Sequence, residues 1–187
     1  MVKKSNLYFD FENGNFKSSV SEKLFITEKK FQELKSIFSD PHDEKIKDEK
    51  VLYEVTAFIN EENVGELNFG ATKIFPGTVN EEFFMTKGHY HKKLTHTEYY
   101  WGIKGRGLLV LLNINGECSI ELVEKDSLHY IPKDTAHRLV NISDEEFVAG
   151  ACWPSDAGHN YGEIQEKGFP VRIFKDGDNY KIVKKII

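Results

Sequence analysis

The segment GHYHKKLTHTEYYWG places His89, His91, His96 and Glu98 within ten residues. Imidazoles and carboxylates are the side chains that take up divalent cations at neutral pH. On a strand alternate residues share a face, so His89 and His91 project together, with Tyr90 opposite. That spacing lets two nitrogens from one strand reach one ion at the roughly 2.0–2.1 Å of a metal–imidazole bond. Glu98 follows KKLTHT, a polar stretch able to turn the chain back. A carboxylate beside imidazoles suits Fe, Mn, Ni or Zn with positions left open. An isolated HxH is also an ordinary feature of a wet strand face, so the wider pattern matters. A second segment, PKDTAHRLVN, carries Pro132, His137 and Asn141. Between the two segments, Asn115-Gly116 joins two strand-like runs, and such a tight hairpin would return His137 beside His89 and His91. His42 in a charged connector, His96 in the polar loop and His129, facing outward beside Tyr130, have less claim to chemistry.

The elements that must position these residues read mostly with a period of two. VLYEVTAFI (51–59), ELNFGATKIF (66–75), LLVLLNI (108–114), SIELV (119–123), LHYI (128–131), FVAGACW (147–153) and VRIF (171–174) are expected strands, rich in β-branched and aromatic residues. Pro76-Gly77 and Asp176-Gly177-Asp178 mark turns. One helix is expected, with Thr27 capping TEKKFQELKSIFSD, Phe31, Leu34 and Phe38 on one face, and Pro41 closing it. DPHDEKIKDEK is a solvated connector, and NYKIVKKI suits an edge strand with its lysines toward water. Many short strands with frequent turns imply an all-β sandwich or barrel with a helical N-terminal excursion. Its mouth is the natural place for a small-molecule site.

Composition narrows the partners. The 187 residues suffice for one real core. A net charge of −5, with no basic stripe carrying interleaved aromatics, argues against nucleic acid. No apolar run approaches a membrane span, and the start MVKKSNLYFDFENG has no apolar signal core. Cys118 and Cys152 form no CxxC pair and have no neighbouring base, so they read as buried hydrophobes in a reducing cytoplasm.

HxHx6E with Gly105 beyond it, then PxxxxHxxxN after a hairpin, resemble the two motifs of the cupin barrels. Two departures are visible. Six residues separate His91 from Glu98, where three or four are commonest in cupins, and Asp126 and Asp134 stand where many cupins have glycine. FFMTKGHYHKKLTHTEYY, with NFGATKIFPGTV, YIPKDTAHRLVNI and WPSDAGHNYGEIQEKGF, is similar to the cupin-type glucose-6-phosphate isomerases of archaea and some bacteria, over roughly residues 50 to 175. The resemblance implies an all-β cupin double-stranded β-helix, a jelly-roll barrel in one domain spanning 1–187. Residues 1–50 would be an N-terminal strand and helix extension, 51–175 the barrel, and 176–187 a C-terminal strand.

It also implies a metal-dependent aldose–ketose isomerase acting on glucose 6-phosphate and fructose 6-phosphate. His89, His91, Glu98 and His137 would hold one divalent ion per subunit, Fe2+ first, with Ni2+, Mn2+ or Zn2+ as alternatives. Thr86 and Gly88 would bind phosphate through a hydroxyl and a backbone N–H, with Tyr53 and Thr72 in the same pocket. Glu98, Tyr100 and His159 would act on the sugar, and Trp153 and Tyr161 would contact it. Hydrogen transfer stays open between a cis-enediol route, with Glu98 as base, and a metal-assisted hydride shift. Trp153 stands where close relatives carry a tyrosine before the proline, and an indole N–H donates but neither accepts nor exchanges a proton as a phenol does. That leaves open a different sugar phosphate, such as mannose 6-phosphate, or a non-catalytic sugar-phosphate-binding cupin. A pure binder would have no need for a carboxylate among the ligands. Homodimers are implied too, with N-terminal strands such as NLYFDF as packing elements.

Overall fold

Short, punctuated runs of β-branched and aromatic residues fold here as paired strands, and the computed structural model describes residues 2–5, 7–17 and 24–185. Strands β1 (Phe9–Asp10), β2 (Asn15–Phe16) and β3 (Leu24–Lys30) lead to one helical turn, α1 (Phe31–Leu34), continued as 3-10 helix over Lys35–Ile37. Next come β4 (Val51–Phe58), β5 (Leu67–Ile74), β6 (Thr78–Val79), β7 (Glu82–Phe83) and β8 (Tyr90–His91). They are followed by β9 (Glu98–Lys104), β10 (Arg106–Asn113), β11 (Cys118–Glu124), β12 (Leu128–Ile131) and β13 (Thr135–Asn141). Last are β14 (Phe147–Pro154), β15 (His159–Asn160), α2 (Gly162–Lys167), β16 (Val171–Asp176) and β17 (Asn179–Lys184).

Six strands form one sheet in the order β12-β9-β14-β5-β4-β3, and three form another in the order β11-β10-β13. A bridge between His89 and His137 joins the β8–β15 pair to β13. Apolar side chains such as Leu52, Ile74, Leu109, Ile131 and Phe147 fill the core and are essentially solvent-free. The architecture is the cupin double-stranded β-helix. A further sheet, β17-β16-β7-β6, adds to it.

The hairpin behaves as the Asn-Gly pair requires. The Asn113 side-chain oxygen accepts from the Asn115 and Glu117 N–H groups, and Gly116 takes a φ of 84°. β10 then pairs with both β11 and β13, in a register that sets Leu111 opposite His137. Asp126 and Asp134 adopt φ values of 69° and 59°, so the aspartates that replace glycine do occupy left-handed turns, which a short polar side chain tolerates.

Three expectations need correction. Thr27 is not a helix cap: it lies in β3 opposite Val55, and the helix begins only at Phe31. The TEKK stretch has helical composition, but the edge of β4 offers it a full ladder of hydrogen bonds, and tertiary pairing overrides propensity. Phe31, Leu34 and Phe38 are buried all the same. His129 does not face outward. In β12 the alternation holds with its phase inverted, exposing Leu128 and Tyr130 and burying His129, whose Nδ1 lies 2.6 Å from Glu121 Oε2 and Nε2 2.8 Å from Ser127 Oγ. The C-terminal strand begins at Asn179, after the Gly177-Asp178 turn, and residues 186–187 lie outside the described part.

In NLYFDF, of which Asn6 is not described, Phe9 belongs to the β1–β2 hairpin. Its ring meets Phe69 at 5.1 Å, and Phe69 in turn lies 5.1 Å from Trp101. Among the described residues no helix is long and apolar enough to cross a membrane.

Candidate functional site

Between the two sheets lies a cavity of about 190 Å³. The six-stranded sheet supplies its wall through alternate residues, as the pleat dictates: Thr27 and Lys29 from β3, Tyr53 and Val55 from β4, Thr72 from β5. Trp153 from β14 and Glu98 and Tyr100 from β9 continue that wall. The segment Thr86–His89, with His137, His159 and Tyr161, lines the cavity too. Every site residue expected from the sequence reaches it except His91, which is buried 5.9 Å from the His89 ring, centroid to centroid.

The histidines converge. One nitrogen from each of His89, His91 and His137 lies within 4.8 Å of the other two. Glu98 Oε2 is 3.2 Å from His91 Nε2 and 3.1 Å from His137 Nε2, though it stands outside the mutual group of three imidazoles. His89 Nε2 and both nitrogens of His137 are buried without a hydrogen bond; the close His137–Glu98 approach is off the line such a bond needs. Buried polar atoms are ordinarily satisfied, and orphaned imidazole nitrogens this close together fit a divalent cation. His91 is oriented from behind, its Nδ1 lying 3.2 Å from the His96 carbonyl, which leaves Nε2 for Glu98 or an ion. His96 itself bonds Asp156, 2.8 Å away, and Lys93 reaches the same carboxylate at 2.6 Å.

Electrostatics favour neutral imidazole at the centre of the group. Burial, reinforced by the neighbouring histidines, holds His89 well below the usual histidine range. Burial also lowers His91, but the bond and charge of Glu98 more than offset it and leave the net shift upward. For Glu98 burial acts upward, and the His137 and His91 contacts outweigh it, so the carboxyl titrates below its ordinary range. Tyr100 is held far above the phenol range by burial and keeps its proton.

On the segment that leads into His89, the Thr86 hydroxyl oxygen accepts from the Leu139 N–H at 3.1 Å, leaving its own proton to donate. The Gly88 N–H has no hydrogen-bond partner among the described residues. Gly88 takes a φ of 74°, and a Cβ there would press on the Phe169 ring, so glycine is required. Lys87 was missed by the sequence reading, although it stands between two chosen residues; its ammonium lies 4.7 Å above the Tyr161 ring. Lys29 was missed as well, hidden in the expected helix. His159 is solvent-exposed at the rim, with its ring 4.3 Å from that of His89. Cys118 and Cys152 are half-buried with thiols raised by burial, unlike nucleophiles.

A family model described as glucose-6-phosphate isomerase (GPI) matches residues 28–186. Curated relatives include the glucose-6-phosphate isomerase of Thermococcus onnurineus, 41% identical over 83% of this chain and 83% of that protein. The Pyrococcus furiosus glucose-6-phosphate isomerase is 40% identical over 93% of this chain and 91% of its own length. A putative glucose-6-phosphate isomerase 1 of Rhizobium meliloti is 37% identical over 80% of this chain and 72% of its own. Among solved structures, an oxalate oxidase in complex with the substrate analogue glycolate matches with a TM-score of 0.47 and 15% identity, over 78% of this chain and 58% of that chain.

Proposed function

The chain belongs to the glucose-6-phosphate isomerase family, and from that membership we propose that it interconverts glucose 6-phosphate and fructose 6-phosphate at the cavity between its sheets. One divalent ion, Fe2+ by preference with Ni2+, Mn2+ or Zn2+ as alternatives, would be held by His89, His91, His137 and Glu98. The observation that carries the reading is the orphaned nitrogens of His89 and His137, buried against Glu98 in a cavity that also holds Thr86 and Gly88. A bound divalent cation supplies a Lewis acid and a template for two neighbouring sugar oxygens.

The chain's own groups do the rest. Thr86 Oγ1–H, the Gly88 N–H and the Lys87 ammonium grip the phosphoryl group, with Tyr53 and Thr72 in the adjoining wall. That grip fixes the sugar so that its C1–C2 end meets the histidine cluster. In a cis-enediol route the Glu98 carboxylate, leaving or sharing its ligand role, would be the base for a proton on carbon next to a carbonyl, which needs an approach of about 3 Å. In a metal-assisted hydride shift it would stay a ligand. Tyr100 keeps its phenolic proton and donates it in a hydrogen bond, while His159 and Tyr161 cover the rim. Trp153 lines the wall and favours a second reading, in which mannose 6-phosphate is the better substrate. A homodimer fits the outer edge of β3, which pairs with no further strand among the described residues and exposes Ile26. Two free cysteines accord with a cytoplasmic setting.

A coupled assay in both directions, on chelated protein with and without added Fe(II), tests the proposal. Metal-dependent turnover of glucose 6-phosphate and fructose 6-phosphate is expected. Tight sugar-phosphate binding without turnover would instead make the chain a binding protein, and faster turnover of mannose 6-phosphate would move the assignment to that sugar.

A further inference from the structure

A second cavity, of about 60 Å³, is lined by Arg138, which donates to the carbonyl of Lys87 in the main one. At roughly 10–15 Å³ per water-sized sphere it has room for several waters or one small oxyanion. Its walls include Arg138, Arg172 and Lys185, with Ser36 and Gln165 as neutral polar neighbours. Glu166 is the one carboxylate among the described lining residues.

Arg138 is the unusual member. It is 6% exposed, its guanidinium lies 4.5 Å from the Phe169 ring centroid, and its Nη2–H donates to the Lys87 carbonyl at 2.7 Å. Its Nε is buried and makes no hydrogen bond, and among the described residues Arg138 takes part in no ion pair. A buried guanidinium without a counter-ion is costly. Arg172 beside it is already matched, its Nη1 lying 2.8 Å from Glu82 Oε1. Among the described residues Lys185 is not matched by a carboxylate: its ammonium donates to the Lys167 carbonyl at 2.7 Å. With Arg172 balanced by Glu82, two cations face one exposed Glu166, so the cavity keeps a positive excess. A concave, low-dielectric site of one sign gathers counter-ions, and guanidinium N–H groups match the oxygens of phosphate or sulfate.

We propose that this cavity is a second anion site, taking a small oxyanion of phosphate or sulfate size between Arg138, Arg172 and Lys185, separate from the sugar-phosphate cavity. Arg138 links the two cavities, since it lines the second and donates to the carbonyl of Lys87, which lines the main one. The inference does not depend on the isomerase reading.

Calorimetric titration of the full chain with inorganic phosphate tests it, using wild type, Lys185→Glu and Thr86→Val. Arg138 is left alone because its loss would disturb the fold, whereas Lys185 is exposed and its ammonium bonds, among the described residues, only a backbone carbonyl. The wild type should show saturable binding of which one component survives Thr86→Val. Lys185→Glu should weaken that component by at least about tenfold, as expected for loss of a charge-assisted contact, with sugar-phosphate kinetics unchanged. Absence of saturable binding, removal of all binding by Thr86→Val, or an isotherm that Lys185→Glu leaves unchanged would each overturn the proposal.

Discussion

Two buried polar clusters in this protein differ in how their atoms are spent. Around Glu82, which is 1% exposed, both carboxylate oxygens are used: Oε1 by Arg172, and Oε2 by Arg172 and by the N–H and hydroxyl of Ser39. Around His137, equally buried, His89 Nε2 and both His137 nitrogens have no hydrogen bond. Folding alone accounts for the first cluster, because each group removed from water finds a partner. The second pays the same desolvation and leaves three imidazole nitrogens without a hydrogen bond, a cost that a bound ion would offset. One cluster is finished by the chain, and the other could be finished by a metal ion.

That contrast breaks most sharply under substitution. His137→Ala should abolish metal uptake and lower kcat/KM by more than the roughly 100-fold typical of losing an outer-shell partner, with far-UV circular dichroism unchanged. Metal analysis of the purified variant checks it, and full occupancy would dissolve the contrast. Glu82→Ala should do the reverse, costing about 2–3 kcal/mol in denaturant melts while metal per chain stays at the wild-type value. That figure sits below the range for a fully buried pair because Arg172 is partly exposed. Adding ion at about 100 times its dissociation constant should stabilise the chelated wild type by about 2.7 kcal/mol and leave His137→Ala unmoved, as melts with and without metal would show. Thr86→Val should raise KM about tenfold for the sugar phosphate, the worth of one charge-assisted hydrogen bond, without touching metal content.

The smallest effect concerns the loop behind His91. Lys93, and then His96, hold the Asp156 carboxyl below its ordinary range. A depressed folded value stabilises the fold above the unfolded carboxylate pKa, and that stability disappears as pH falls through the folded one. Denaturant midpoints across an acid series should therefore show a slope that Asp156→Asn lacks.

Much of the histidine cluster was legible because its geometry is local. Two histidines at a spacing of two share a face on any strand, and the Asn-Gly hairpin of β10 and β11 turns the chain back so that β13 can pair with β10 and carry His137. Register was harder. LHYI alternates whichever residue faces in, and only the packing of β12 beside β9, with Glu121 and Ser127 at hand, decides that His129 is inside. TEKK satisfies a helix start as well as a strand, and the open edge of β4, remote in sequence, settles it. Lys29 and Lys87 escaped notice because lysine is ordinarily solvated, and nothing nearby in the chain announces a cavity above it. Glu82 gave no signal in the sequence, since its partners Ser39 and Arg172 come from distant segments.

Anomalous scattering at a metal absorption edge, from crystals grown with one equivalent of Fe(II), asks the central question directly. The account predicts one peak per chain, about 2.1 Å from a nitrogen of each of His89, His91 and His137 and in reach of the Glu98 carboxylate. A peak at another histidine–carboxylate pair, such as His96 with Asp156 or His129 with Glu121, and none among those three imidazoles, would contradict it.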